Sequence, residues 1–315
     1  MLVALLAARL YLAGAGPDWG WDPGLGRGKA PAAAPSTVAI AYAAGGDLWR
    51  LSGADGRYAL IRTEGAQADP VLLPPPPAQA WLLAGADVAT YNPGQREVTV
   101  RTVTGQARWA LRLPARPTVL AASGDGSLAF AYRVGESSPY REEVNWRDPA
   151  GRPKAPLPSV AGVCTALALS PAGDRLAVAS VGAGHPPTAR VAVYEGGGAA
   201  RWEAVVEARG PIQRILVSPS GQVTVAAGEG LTRFNADGSI QWRWRAPGAV
   251  ADLVELDGGR LAVLAAESIT LLDRDGRARQ RRRVAGAVRQ ATLSPDAQRL
   301  AVLAGEDQIE FFTLR

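Results

Sequence analysis

The sequence predicts an all-β chain built from one supersecondary unit used seven times. Three observations carry that prediction. First, a Gly-centred turn follows a short apolar run at Gly56, Gly105, Gly151, Gly198, Gly238 and Gly276, and Trp109, Trp202 and Trp242 each stand four residues after the Gly. Second, runs of the type Leu-Ala-Val recur at residues 39, 88, 128, 176, 223, 261 and 300, with steps of 49, 40, 48, 47, 38 and 39. That spacing is the 40–50-residue period of propeller blades. Third, no stretch after residue 16 shows apolar residues at helical spacing, and 36 Gly and 24 Pro punctuate the short apolar runs. The predicted fold is a seven-bladed β-propeller of four-stranded antiparallel blades, spanning residues 37–315.

Each unit has its own grammar. Strand A ends in a turn such as Ser170-Pro171-Ala172-Gly173, Ser218-Pro219-Ser220-Gly221 or Ser294-Pro295-Asp296-Ala297. Proline presets φ at the second turn position and the serine hydroxyl caps the first. Strand B follows with small and branched residues, and strand C runs into the Gly turn, as in Leu231–Phe234 before Asn235–Gly238. Strand D carries the Trp. Four such strands cannot bury both faces alone, so neighbouring units must stack and the last must meet the first. Large aromatics belong on outer strands, where blades splay, so the tryptophans are expected to pack between blades.

Closure is open at this level. The last unit reads as strands A (Val288–Leu293), B (Arg299–Ala304) and C (Ile309–Leu314), while the first reads as starting at its second strand near Thr37. One D strand and one A strand are then expected from residues 1–36 or are missing. Residues 1–16, MLVALLAARLYLAGAG, resemble the apolar core of an export signal with a small-x-small pattern at Ala13-Gly14-Ala15, although Arg9 interrupts it and no basic segment precedes it. Export or anchoring is the favoured expectation. The rival is a closing strand over Leu6–Leu12. Trp19 and Trp21 follow, and residues 17–36 read as a Pro/Ala/Gly linker. The expected location is extracytoplasmic or tethered to a bacterial envelope, with the cytoplasm as the alternative.

Composition excludes several classes of chemistry. Cys164 is the single cysteine, so an intrachain disulfide and a thiolate zinc cage are out of reach, and its apolar setting marks it as a core residue. His185, the single histidine, stands beside Pro186 and Pro187 with no GxSxG elbow in the chain. Gly196-Gly197-Gly198 is a turn between strands and opens no helix for a phosphate. The net charge is +5, with arginines dispersed among 29 acids, which is no nucleic-acid stripe. The expectation is a non-enzymatic binding or scaffold monomer with no cofactor, no metal and no catalytic residue; the alternative is a propeller enzyme (hydrolase, lyase or cofactor-dependent dehydrogenase) with its site at the central channel. Its partner is a protein or small ligand, with membrane association through the N-terminus as a further possibility.

Two places stand out. Connections between strands B and C read as short at Ala43–Asp47, Ala227–Gly230, Ala265–Ser268 and Ala304–Gln308, but as long at Val134–Glu143 and Val181–Ala189. Long loops at the same point of adjacent blades emerge side by side, where function concentrates on rigid scaffolds. The candidate recognition residues are Ser137, Ser138, Tyr140, Arg141, Glu142 and Glu143 in the first and His185 in the second. The pair Glu142-Glu143 is expected to be ion-paired locally with Arg141 and Arg147. The second place is the basic run Arg277, Arg279, Arg281, Arg282 and Arg283 on the predicted D strand of blade six. It reads first as a charged edge that resists strand-to-strand aggregation, and second as a dock for anionic lipid or an acidic partner.

The quoted motifs carry a family likeness. Thr104-Gly105-Gln106-Ala107-Arg108-Trp109 and Asp237-Gly238-Ser239-Ile240-Gln241-Trp242 resemble the repeat of quinoprotein-like β-propellers. The hairpin Ser170-Pro171-Ala172-Gly173-Asp174-Arg175-Leu176-Ala177-Val178 is similar to WD40-like and TolB-like repeats. The resemblance covers residues 37–315. The quinone-dependent members resemble one another in a vicinal Cys pair and a calcium site with an acid, which this chain lacks. The likeness therefore implies the non-catalytic branch, such as envelope assembly scaffolds, with seven blades here where those scaffolds often have eight.

Overall fold

The computed structural model describes residues 36–314 apart from 44, 55–56, 64–70, 74–78, 84–86, 136–140, 183–187, 197, 208–210 and 306. The expected signal or anchor at 1–16, the rival strand over Leu6–Leu12 and the linker up to residue 35 lie outside the described residues. Among the described residues no helix is long and apolar enough to cross a membrane.

The described residues form 27 strands in seven antiparallel meanders. Blade one holds β1 (Ser36–Tyr42), β2 (Leu48–Ala54), β3 (Arg57–Arg62) and β4 (Val71–Leu72). Blade two holds β5 (Gln79–Leu82), β6 (Val88–Asn92), β7 (Glu97–Arg101) and β8 (Ala107–Arg112). Blade three holds β9 (Pro117–Ala122), β10 (Leu128–Val134), β11 (Arg141–Arg147) and β12 (Val160–Ala161). Blade four holds β13 (Val163–Leu169), β14 (Arg175–Val181), β15 (Ala189–Glu195) and β16 (Ala200–Val206). Blade five holds β17 (Arg214–Val217), β18 (Val223–Ala227), β19 (Gly230–Phe234) and β20 (Ile240–Arg245). Blade six holds β21 (Val250–Glu255), β22 (Leu261–Ala265), β23 (Ser268–Leu272) and β24 (Ala278–Arg283). Blade seven has β25 (Val288–Leu293), β26 (Arg299–Ala304) and β27 (Gln308–Thr313), with no fourth strand among the described residues.

The first strands line the axis and touch one another around the ring: β9 meets β13, then β17, β21, β25, β1 and β5 follow in turn. The Ala-rich second strands stand one layer out. β10, β18 and β22 bury nearly every side chain, because each is sandwiched between two neighbouring blades. Small residues there let adjacent blades approach, which is the packing role the alanines serve.

One element differs from the expectation. Val38-Ala39-Ile40 belongs to the first strand of blade one, not its second, and the second strand is Leu48–Ala54. A short run of small and branched residues reads alike in either layer, since both are largely buried. The ring therefore needs only one outer strand from elsewhere, and Ala43–Asp47 is a connection between first and second strands. The outer strands of blades one and three are also shorter than the pattern suggested, at Val71–Leu72 and Val160–Ala161. Prolines at 74–77 and at 153, 156 and 158 flank them, and proline supplies no N–H to a ladder.

Tryptophans key blade two to three, four to five and five to six. In β8, β16, β20 and β24 the ladder bulges at one residue, namely Arg108, Arg201, Gln241 and Arg279. The following residue is Trp109, Trp202, Trp242 and Gln280 respectively. Each Trp lies against the turn glycine of the next blade. A Cβ on Gly151, Gly238 or Gly276 would stand 2.8, 2.9 or 2.7 Å from a ring atom of Trp109, Trp202 or Trp242. All three glycines also have positive φ. The turn glycine thus has two duties, a backbone conformation and a flat seat for the indole.

Polar groups near the axis stitch blade to blade. The Gln290 side chain accepts from the Ile40 amide at 3.0 Å and donates to the Ile40 carbonyl at 3.2 Å. Thr292 Oγ1 accepts from the Tyr42 amide at 3.4 Å, and Arg289 Nη2 donates to the Thr37 carbonyl at 2.9 Å. Behind them Ile40, Tyr42, Leu48, Ala301 and Leu303 form one apolar cluster. Blade seven is sealed to blade one by contacts between residues about as far apart in sequence as the ring allows.

Candidate functional site

In a meander, connections from A to B and from C to D share one end of the ring, and those from B to C and from D to A share the other. At the second end the B–C connections span 55–56, 93–96, 228–229, 266–267 and 305–307, against 135–140 in blade three and 182–188 in blade four. The two longest join second and third strands of adjacent blades. Ser137, Ser138, Tyr140 and His185 lie outside the described residues. Arg141, Glu142 and Glu143 belong to β11 rather than to the loop, so the connection itself ends at residue 140.

The strand beneath these loops is held firmly. Glu142 is completely buried, and its Oε2 accepts from the Cys164 amide at 2.8 Å and from Thr118 Oγ1 at 3.4 Å. It therefore ties blade three to blade four at the strand ends that lead into the two long connections. Its Oε1 is buried without a hydrogen-bond partner. Burial pushes its carboxyl above the usual carboxylate range, against the Cys164 amide and the Arg133 charge, which pull it down. Glu142 acts from below the surface, where an external ligand does not reach it.

Alternation sends the odd residues of β11 to the opposite side, against blade two. Glu143 accepts from the Tyr132 hydroxyl, Asn145 Nδ2 donates to that hydroxyl at 3.3 Å, and Arg147 Nη2 donates to Asn145 Oδ1 at 3.1 Å. Burial, with the Glu143 hydrogen bond and charge added, pushes the Tyr132 phenol up to about 12. Among the described residues neither Glu142 nor Glu143 is ion-paired with Arg141 or Arg147. The strand period parts Glu142 from both arginines, and Glu143 takes the phenol instead. Arg141 is exposed at the base of the loop. Sequence reasoning missed Thr118, Tyr132 and the Cys164 amide: Thr118 and Tyr132 reach β11 through strand pairing within blade three, and the Cys164 amide through blade stacking.

The axis offers little that converges. Asp252 on β21 is tied to its neighbours: its Oδ2 accepts from the Ala291 amide at 2.9 Å, and Arg214 Nε lies 3.5 Å from its Oδ1. Burial raises its carboxyl, with Arg214 opposing. Among the described residues no three His, Cys, Asp or Glu side chains gather as a metal site would need.

The basic run occupies the outermost strand of blade six. Arg279, Arg281, Arg282 and Arg283 are all exposed on β24, and Arg277 is exposed in the turn before it. Arg279 pairs with Asp273 at 2.7 Å. Among the described residues the other four have no carboxylate partner.

No protein-family model matches the chain, and no curated protein sequence is significantly similar to it. Solved structures do share its shape. A chain of the mitotic checkpoint complex superposes with a TM-score of 0.65 at 11% identity, over 87% of this chain and 88% of that one. Hydrazine synthase of Kuenenia stuttgartiensis gives 0.65 at 14% identity, over 94% and 99%. The Dos1 propeller gives 0.65 at 11% identity, over 89% and 79%. At such identities the likeness is one of fold alone, and the chain is a seven-bladed β-propeller.

Proposed function

We propose that the protein is a non-enzymatic binding module that recognises a protein partner through the ring end carrying the connections 135–140 and 182–188. The observation that carries this reading is the pairing of two long loops of adjacent blades with a rigid base, in which Glu142 bonds blade three to blade four at the strand ends that lead into them. Long loops on an over-determined scaffold are where recognition residues are found. Polar groups near the axis, such as Asp252 and Gln290, are directed at neighbouring blades, which favours binding over catalysis. The repeat resemblance to non-catalytic quinoprotein-like and TolB-like propellers supports the same reading. The Arg141 side chain at the loop base, with Ser137, Ser138, Tyr140 and His185, supplies the proposed contacts.

Photo-crosslinking tests this. A benzophenone amino acid placed at Ser138 or His185 is expected to trap one discrete partner in cells. The same group at Thr104 or Asp237, in turns at the other end, traps none. Equal labelling from both ends, or none from the first, contradicts the assignment.

A further inference from the structure

Blade six departs from the pattern of blades two, four and five. Where β8, β16 and β20 place Trp after the bulge, β24 places Gln280. A Trp there would cover the gap toward blade seven. Instead a groove of about 530 Å3 opens between the two blades, with Ile269, Leu271, Leu300, Phe311 and Phe312 along it and Gln280 and Arg282 at its edge. Phe311 is 45% exposed. On the opposite side of the same strand, Arg281 and Arg283 border a second groove of about 500 Å3, with Ala266, Glu267 and Ser268. Arg281 Nε donates to Ser268 Oγ at 3.3 Å, and Glu267 pairs with neither arginine. Among the described residues β24 is hydrogen-bonded on one side only.

The geometry points to β24 as a docking edge for an extended segment of a partner protein in which acidic and apolar residues alternate. Such a segment adds as a fifth strand, with main-chain bonds to the free edge. Strand alternation then sends its acids toward Arg281 and Arg283 and its apolar side chains toward the Phe311 groove. Charge complementarity selects this occupant. A second copy of the same edge would bring five arginines against five, which like-charge repulsion opposes. A flat anionic membrane meets an edge but not two opposite faces of one strand. Edge charges protect against aggregation, but that role explains neither why four arginines lack a carboxylate partner among the described residues nor why Gln280 stands where blades two, four and five have Trp.

The probe is a short fluorescein-labelled peptide of alternating glutamate and valine, followed by anisotropy on the full chain. It is expected to bind, with affinity falling as salt rises. Arg281→Glu/Arg283→Glu, on a fully exposed strand, should weaken binding about tenfold or more. The same peptide with alternate amides N-methylated keeps its charge and should lose binding, because it cannot extend a ladder. Shortening 135–140 should leave peptide binding intact, which separates this edge from the loop-bearing end. Four results would overturn the inference: no binding by the peptide, full binding by the N-methylated form, no effect of charge reversal, or preference for phosphatidylserine vesicles over the peptide. A control melt shows that the charge-reversed chain is folded.

Discussion

Glu255→Leu is expected to destabilise the ring by about 3–5 kcal/mol, the usual cost of leaving a buried charge without its partner. Arg233 on β19 is 1% exposed, and its Nη2 lies 2.9 Å from Glu255 Oε1 on blade six and 2.8 Å from Gln222 Oε1 on its own blade. Its Nε and Nη1 have no partner. Burial raises the Glu255 carboxyl above its ordinary range even though Arg233 pulls it down, so desolvation outweighs the attraction. A pair with that balance holds register between blades more than it stabilises them. The double variant Arg233→Met/Glu255→Leu should therefore recover most of the loss, and could exceed the parent chain by about 1–4 kcal/mol. Urea denaturation of the parent, both single variants and the double variant reads all four values. A mild single variant, or a double variant worse than either single, contradicts this account of the pair.

Trp202→Ala should cost about 3–5 kcal/mol, as for other large aromatics removed from a core. Trp202 is 9% exposed, its ring centroid lies 5.4 Å from that of Phe234, and Gly238 lies flat against it. Gly238→Ala should also be costly, since the residue has φ of +87 and its new Cβ would meet the indole at 2.9 Å. The two variants are expected not to add. Once the indole is gone the alanine keeps only its backbone strain of about 1–2 kcal/mol. The coupling should fall within the range of about 0.5–3 kcal/mol seen for residues in contact. Strict additivity would mean that the Trp and the Gly of the next blade do not form one joint.

The spacing of Gly238 and Trp242 was legible because a repeat writes its joints into the sequence at a fixed distance. The last blade's three strands and the exposed arginines of β24 were legible for the same reason: both follow a turn whose chemistry is local. The assignment of Val38–Ile40 failed because the first and second strands of a blade draw on the same residues, and only the neighbour across the ring tells them apart. Glu142 read as a loop acid and is instead a buried tie on β11, since Thr118 reaches it across the sheet of its own blade and the Cys164 amide through stacking, neither of which is a pattern along the chain. The stitches from Gln290 to Ile40 are further still from local pattern. Nothing within a blade announces a partner at the other end of the sequence.

Ring closure is the claim on which the site geometry depends, and native-state hydrogen exchange reads it directly. The Ile40 and Tyr42 amides donate to Gln290 and Thr292, so their protection reports contact between the first and last blades. In the closed ring they should exchange as slowly as ladder amides of β18, through global unfolding alone, and Gln290→Ala should speed Ile40 selectively. Fast exchange at Ile40 and Tyr42 in the parent chain, with β18 still protected, would show an open array instead.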